Sequence, residues 1–395
     1  IGMQEELLGK IERPAKLEWT KATPPDGLTM RVKELAEGQF IQTTFLVSSS
    51  EVRRSRTGEP FLRLVLEDRS GQVEGRVWRD PEALASRVGR ADFVAVRGDV
   101  STFAEGLYIE VGDLEWVADD TIDVADYFEV SRWSPDAMFE QLRGILDAEL
   151  RSDMVRAFVD ALFADEQTLA QFKTAPAAMS NHHAFRGGLL EHCLSMVRSA
   201  VLLSGHYQRY YPGLINPDLL ITGVLLHDFA KIWELSYHRS FDYTTPGRLI
   251  GHIPMGAKMV GIVAARARLS ISGDLQMHLE HLVLSHHGEL EFGSPTKPKT
   301  PEAVLLHEID MIDSRMNMLW NERSRTLNPD APESWTEFRR SLGDRILFRG
   351  RNSADWDLAP AIAPGDLRGP GLAREKSARK PNETLTLFET DEPNE

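Results

Sequence analysis

At 395 residues the chain is longer than one hydrophobic core organises, so two or three domains are expected. A hydrophobic content of 42% fits a globular protein, and no apolar run nears the roughly 20 residues that span a bilayer, which excludes a membrane helix and a membrane partner. The net charge of -15 argues at first sight against a nucleic-acid partner, although a local basic groove or a bound cation can reverse the sign where it matters.

The segment from Met3, MQEELLGKIERPAK, lacks the apolar core of a signal peptide. One cysteine, Cys193, excludes an internal disulfide framework and suits a reducing compartment, so the cytoplasm is the expected location. Residues 1–37 read as an arm and linker, interrupted by TPPDG at 23–27.

Between residues 38 and 118 the texture is β. FIQTTFLVSSSEVRR, FLRLVLEDRSGQVEGRVW, DFVAVRGDVSTF and LYIEVGDLEWV alternate apolar and polar residues and break at Thr57-Gly58, Ser70-Gly71 and Glu105-Gly106. Five strands in this space predict a small closed barrel, with ALASRVG as a short helix between the third and fourth. The stretch RTGEPFLRLVLEDRSGQVEGRVW resembles OB-fold domains that bind nucleic acid. That resemblance makes Arg53, Arg54, Arg56 and Trp78 candidate contacts to a single strand, with Phe61, Phe103 and Tyr108 as further stacking faces. Aromatic residues on alternating strands are, however, usually core.

Residues 119–135 form an acidic linker, and helical periodicity follows from 136 to 348, including one more helix over 334–348. Residues 349–395, rich in Pro, Gly and charge, read as a disordered tail. Within it KPNETLTLF (380–388) resembles the peptides with which bacterial DNA-processing proteins dock on the sliding clamp, with Thr384 where a glutamine is usual.

All 12 histidines lie between His182 and His307. The apolar run LLITGVLLHDFAKIW (219–233) ends in His227-Asp228, two polar groups that cost several kcal/mol to bury unpaired. A metal ion resolves that conflict, because imidazole and carboxylate both ligate divalent cations. His192 opens an earlier helix after Gly187-Gly188, His252 follows FDYTTPGRLIG, His286-His287 close an apolar helix before Gly288, and Asp310 and Asp313 share the last helix. Asp228 can bridge two cations, one taking His192, His227 and Asp310, the other His252, His286 and His287. Nitrogen and oxygen donors without thiolate suit Mn²⁺, Fe²⁺, Mg²⁺ or Zn²⁺. Lys231, one turn past Asp228, can neutralise a phosphate oxygen or merely close its helix. Cys193 is expected in the core, His278 and His281 in packing, and His307 as an orienter of Asp310.

The order H … HD … H … HH … D resembles the HD-domain phosphohydrolase superfamily. With the OB-like stretch, HHAFRGGLLEHC, LLHDFAKIWEL, FDYTTPGRLIGHI and HLVLSHHGELEFGSPTKPKTPEAVLLHEIDMIDSRMN are similar to the YhaM-type 3′–5′ exoribonucleases. The resemblance implies an all-β OB barrel followed by an all-α HD domain. It also implies divalent metal, typically Mn²⁺, and removal of nucleotides from single-stranded RNA, extending to DNA, by two-metal phosphodiester hydrolysis. It makes Asp228 and Lys231 catalytic and prefers Asp310 over Asp313 as ligand. Arg186 and His183 become candidate phosphate contacts, and Tyr243 and Arg248 contacts to sugar or base. Two other readings stand beside it: a phosphohydrolase of free nucleotides or cyclic dinucleotides, and a nucleic-acid-binding module with a structural metal. An oligomer is compatible with each.

Overall fold

Alternation along five strands closes the N-terminal barrel. β1 (Phe40–Arg54), β2 (Pro60–Asp68), β3 (Gly71–Val77), β4 (Phe93–Phe103) and β5 (Gly106–Val117) pair in the order β1-β2-β3-β5-β4, with α1 (Pro81–Ala85) between β3 and β4. The structure, a computed structural model, describes residues 30–350 apart from 91, 104–105, 119–120, 181, 238–241 and 329. Leu62, Leu64 and Leu66 point inward from β2 and meet Phe45, Val94, Val96 and Ile109. β3 and β5 run parallel and the other pairs antiparallel, so the sheet has no open edge.

The barrel reaches beyond the bounds expected from the sequence. Ahead of β1, Met30, Val32 and Leu35 pack on its core, and the Val32 N–H bonds Asp68 at 2.8 Å. On the far side the acidic segment is not a free linker. Tyr127 packs with Leu46, Phe93 and Val117, the Arg69 N–H bonds Asp126 O, and residues 129–131 exchange backbone hydrogen bonds with Arg186.

The helical domain comprises α2 (Pro135–Glu149), α3 (Asp153–Leu162), α4 (Glu166–Thr174), α5 (Gly188–Tyr210), α6 (Pro217–Leu226) and α7 (Lys231–Glu234). A two-residue ladder of β6 (Leu235–Ser236) and β7 (Asp242–Tyr243) precedes α8 (Thr245–Leu249), α9 (His252–Arg266), α10 (Gly273–Ser285) and α11 (Pro301–Thr326). α6 is central: Leu220, Ile221, Val224, Leu225 and Leu226 are all essentially inaccessible, which explains a run without a polar face. Ser134, Ser152, Asp165, Asn216, Thr244, Ser272 and Thr300 cap their helices through side-chain oxygens. Cys193 is buried in this core, as expected.

The helix expected over 334–348 is replaced by a hairpin of β8 (Glu333–Trp335) and β9 (Leu347–Arg349). Gly343, at φ +80°, supplies the turn conformation, and the Arg339 guanidinium is pinned to Glu322 of α11 at 2.7 Å. These tertiary ties override a weak helical pattern. The chain divides into residues 1–352 and 353–395, and the tail with its clamp-like peptide lies outside the described residues. No helix among the described residues is long and apolar enough to cross a membrane.

Candidate metal centre

Four helix termini and the interior of α11 (Pro301–Thr326) deliver the imidazoles and carboxylates to one place. α6 ends at Leu226, and the following turn presents His227 and Asp228, both buried. His192 lies in the first turns of α5, where Gly187 at φ +80° begins the helix. A Cβ on Gly188 would strike the His183 carbonyl, so the double glycine lets the 182–186 loop fold over the start of α5. His252 begins α9, while His286 and His287 follow α10. Gly288, at φ +79°, has the His307 ring where its Cβ would be.

Asp228 faces two ways. Its Oδ2 lies 3.3 Å from His227 Nε2 and 4.0 Å from His192 Nε2, and its Oδ1 lies 3.3 Å from His252 Nε2 and 3.6 Å from His286 Nε2. Asp310 Oδ1 is 3.3 Å from His192 Nε2, and His287 joins His252 and His286 in one cluster of ligand atoms. Asp228 thus lies between two groups of ring nitrogens.

The other nitrogen of each ring is already engaged. The Nδ1–H of His227 donates to Val224 O (2.7 Å), that of His286 to Val283 O (2.8 Å) and that of His287 to Phe292 O (2.9 Å). His192 donates to Asp313 (2.8 Å) and His252 to Glu234 (3.0 Å). These bonds turn each Nε2 lone pair inward. The buried Nε2 atoms of His192, His227, His252 and His286, and Asp228 Oδ1, have no hydrogen-bond partner among the described residues. Buried polar atoms left unpartnered in this way cost about 1–3 kcal/mol each, and bound divalent metal would remove the penalty. The residues fit metal.

Charge agrees with that fit. Burial pushes the Asp228 carboxyl up, but Lys231, His227 and His286 outweigh it and hold it well below the usual range. Asp310 is likewise held low by His192 and His227 against burial. Burial alone would strip a proton from His192, yet Asp310 and Asp313 raise it to about 10. Burial lowers His287 to about 4 and keeps it neutral.

Lys231 does not close a helix. It begins α7, is buried, and donates to Asp228 Oδ2 at 2.6 Å and to Ala177 O at 2.5 Å. Asp313 accepts from His192 and from the Ser195 hydroxyl, behind the ring, while Asp310 sits on the Nε2 side. His307 donates to His286 O at 2.8 Å, so it orients that histidine and not Asp310. His281 accepts from the Lys299 N–H and His278 donates to Asp274 O, both packing roles.

Among the candidate substrate contacts, Arg186 donates to Tyr237 O at 2.5 Å and so ties the 182–186 loop to the segment after α7. His183 is buried at φ +46°, with Nδ1 3.9 Å from Asp313, behind His192. Its neighbour His182, which sequence reasoning passed over, is the one grouped with His192 and Asp310, and burial lowers it to about 4. Glu234 was also missed, because a lone glutamate after an apolar run carries no pattern. Tyr243 and Arg248 are exposed, and Arg248 bonds Asp242 at 2.5 Å.

On the barrel, Arg53 pairs with Glu51 and Arg54 bonds Gly58 O, so neither reaches freely outward. Arg76 is the centre of that face: its guanidinium lies 4.2 Å from the Tyr108 ring centroid, 4.7 Å from Phe103 and 5.8 Å from Phe61. Trp78 sits 4.9 Å from Phe61, and Arg56 6.0 Å from Phe103. Phe103 is 51% exposed and Trp78 39%, so these two are surface and not core.

A closed five-stranded barrel joined to helices that gather H … HD … H … HH … D defines an OB-fold coupled to an HD-superfamily metal site. Comparison with known families agrees: residues 189–315 match the HD domain, and residues 47–119 match an OB-fold nucleic acid binding domain. The chain is 33% identical over 313 residues to the 3′-5′ exoribonuclease YhaM of Oceanobacillus iheyensis, covering 79% of this chain and 94% of that one. The Geobacillus sp. (strain WCH70) protein of the same name is 35% identical, covering 79% and 92%. That of Listeria innocua is 33% identical, covering 80% and 97%. The chain belongs to the YhaM family of 3′–5′ exoribonucleases.

Proposed function

We propose that the protein removes nucleotides from the 3′ end of single-stranded RNA, and from single-stranded DNA as well, using two divalent cations, with Mn²⁺ the working metal. The observation that carries the two-ion reading is Asp228, whose two oxygens face two separate histidine groups. His192, His227 and Asp310 would hold one cation with Asp228 Oδ2, and His252, His286 and His287 the other with Oδ1. Bound there, such cations supply Lewis acidity and lower the pKa of water beside phosphorus. Asp313 and Glu234 hold two of the rings in the tautomer that leaves Nε2 free. Lys231 keeps Asp228 ionised and lends a positive charge to the wall that a phosphate approaches. The exposed Phe103 and half-buried Tyr108 around Arg76 provide stacking faces for bases, worth about 1–3 kcal/mol each.

Incubation of the protein with Mn²⁺ and 5′-labelled single-stranded RNA tests this. A ladder shortening from the 3′ end, abolished in Asp228→Ala, is the expected result. Intact RNA and DNA alongside turnover of free or cyclic nucleotides would overturn it.

A further inference from the structure

A cavity of about 680 Å³ opens beside the metal centre, where the barrel meets the helical domain. Its inner end is made by His183 and Asp313, the residues that back the His192 ring. Lys33 and Arg69 line it from the barrel, and Arg132 and Trp320 from the helical side. The Arg132 guanidinium lies 5.3 Å from the Trp320 ring centroid, and that indole is 48% exposed. Among the described residues, Lys33, Arg69 and Arg132 form no ion pair.

The walls are held in place. Lys33 N–H bonds the Ser70 hydroxyl at 3.1 Å, Arg69 N–H bonds Asp126 O at 2.9 Å, and Ser131 N–H bonds Arg186 O at 2.9 Å. Three carboxylates, Glu129, Glu191 and Asp313, share the lining, and Asp313 is taken up by His192 and the Ser195 hydroxyl. Burial raises Glu191, and it accepts the Ser131 hydroxyl, which blunts its repulsion of an anion.

Unpaired cations beside an exposed indole are what a phosphodiester chain with unstacked bases needs: charge for the backbone and a flat apolar face for the base. We propose that this cleft is a binding subsite for single-stranded RNA, taking nucleotides 5′ of the end that is cut. Their phosphates lie against Lys33, Arg69 and Arg132, and one base lies on Trp320. The assignment rests on the exonuclease reading, since a 3′-end enzyme must house the chain upstream of the cut. Phe61 lies near the start of β2 and Arg69 just past its end, about 26 Å away at the rise of a strand, so the cleft and the aromatic face grip different stretches of one RNA.

The test uses full-length protein in an Asp228→Asn background, which separates binding from cleavage, and adds Arg69→Glu with Arg132→Glu, or Trp320→Ala alone. The charge-reversed protein should bind a 5′-labelled single-stranded RNA at least tenfold more weakly. Its salt dependence should flatten by about 0.7 per lost phosphate contact. With Asp228 intact, the same substitutions should leave limit products several nucleotides longer than the parent's, while Mn²⁺ still raises the melting temperature as it does in the parent. Unchanged RNA affinity and unchanged limit products would overturn the proposal, as would loss of the Mn²⁺ effect, which would mark the residues as structural. Trp320→Ala, which disturbs no ion pair, keeps the test available if the double variant fails to fold. If the parent shortens no RNA, the exonuclease reading falls, while the affinity measurements still report on the cleft.

Discussion

Asp313 accepts the Nδ1–H of His192 at 2.8 Å, so this carboxylate decides which nitrogen of His192 faces the metal centre. Asp310, three residues earlier on the same helix, lies 3.3 Å from the opposite nitrogen. Neighbouring acids on one helix therefore do different work, one steering a ring and one offering an oxygen beside it.

Removing the steering acid should weaken metal binding without abolishing it. Asp313→Ala is expected to cost about 10–100-fold in Mn²⁺ affinity. Activity measured against Mn²⁺ concentration should show its midpoint displaced upward and recover at high metal. A midpoint equal to the parent's would show that His192 needs no such partner.

Asp228 and Lys231 should be energetically inseparable in chelator-treated protein. Asp228→Ala leaves the buried ammonium with the Ala177 carbonyl as its one hydrogen-bond partner among the described residues, which should cost about 3–5 kcal/mol. Lys231→Met in the same chain should return much of that loss. Urea denaturation of both single variants and the double gives the coupling, and simple additivity would rule out the pairing.

Metal uptake should release a proton. In the metal-free protein His192 is raised to about 10, so near pH 7 it carries a proton that a cation must displace. His287, lowered to about 4, has none to give. Apparent affinity should thus climb with pH from 7 toward 10, by up to about tenfold per unit, and level off above. Indicator-dye titration in weak buffer should register about one proton per protein, and none would show His192 to be neutral beforehand.

The barrel should act on binding and not on chemistry. Phe103→Ala and Trp78→Ala each remove an exposed ring and should weaken single-stranded RNA binding by about 1–3 kcal/mol. Equilibrium binding in the Asp228→Asn background measures this; affinity equal to the parent's would assign those rings to another partner.

Much of this architecture was legible beforehand. Alternation in β1 to β5 announces a barrel because each strand has one wet face, and the polar break in the apolar run at His227-Asp228 announces a centre. What escaped the sequence was partnership across space. Glu234 meets His252 only because the chain doubles back through a short ladder, and His307 meets the His286 carbonyl because Gly288 leaves room for its ring. Nor does the sequence show that the Arg186 guanidinium holds Tyr237 O. The hairpin at 333–349 was hidden because its register depends on Arg339 reaching α11.

Lys231 has a consequence for how the protein comes into being. Its ammonium already sits among Asp228, Asp310 and Glu234, a resident positive charge inside an acidic pocket. Small zinc modules stay unfolded until their ion arrives, because nothing else neutralises their ligands. Here Lys231 supplies a counter-charge from within the chain, so the charge of Asp228 is balanced in part before any cation binds.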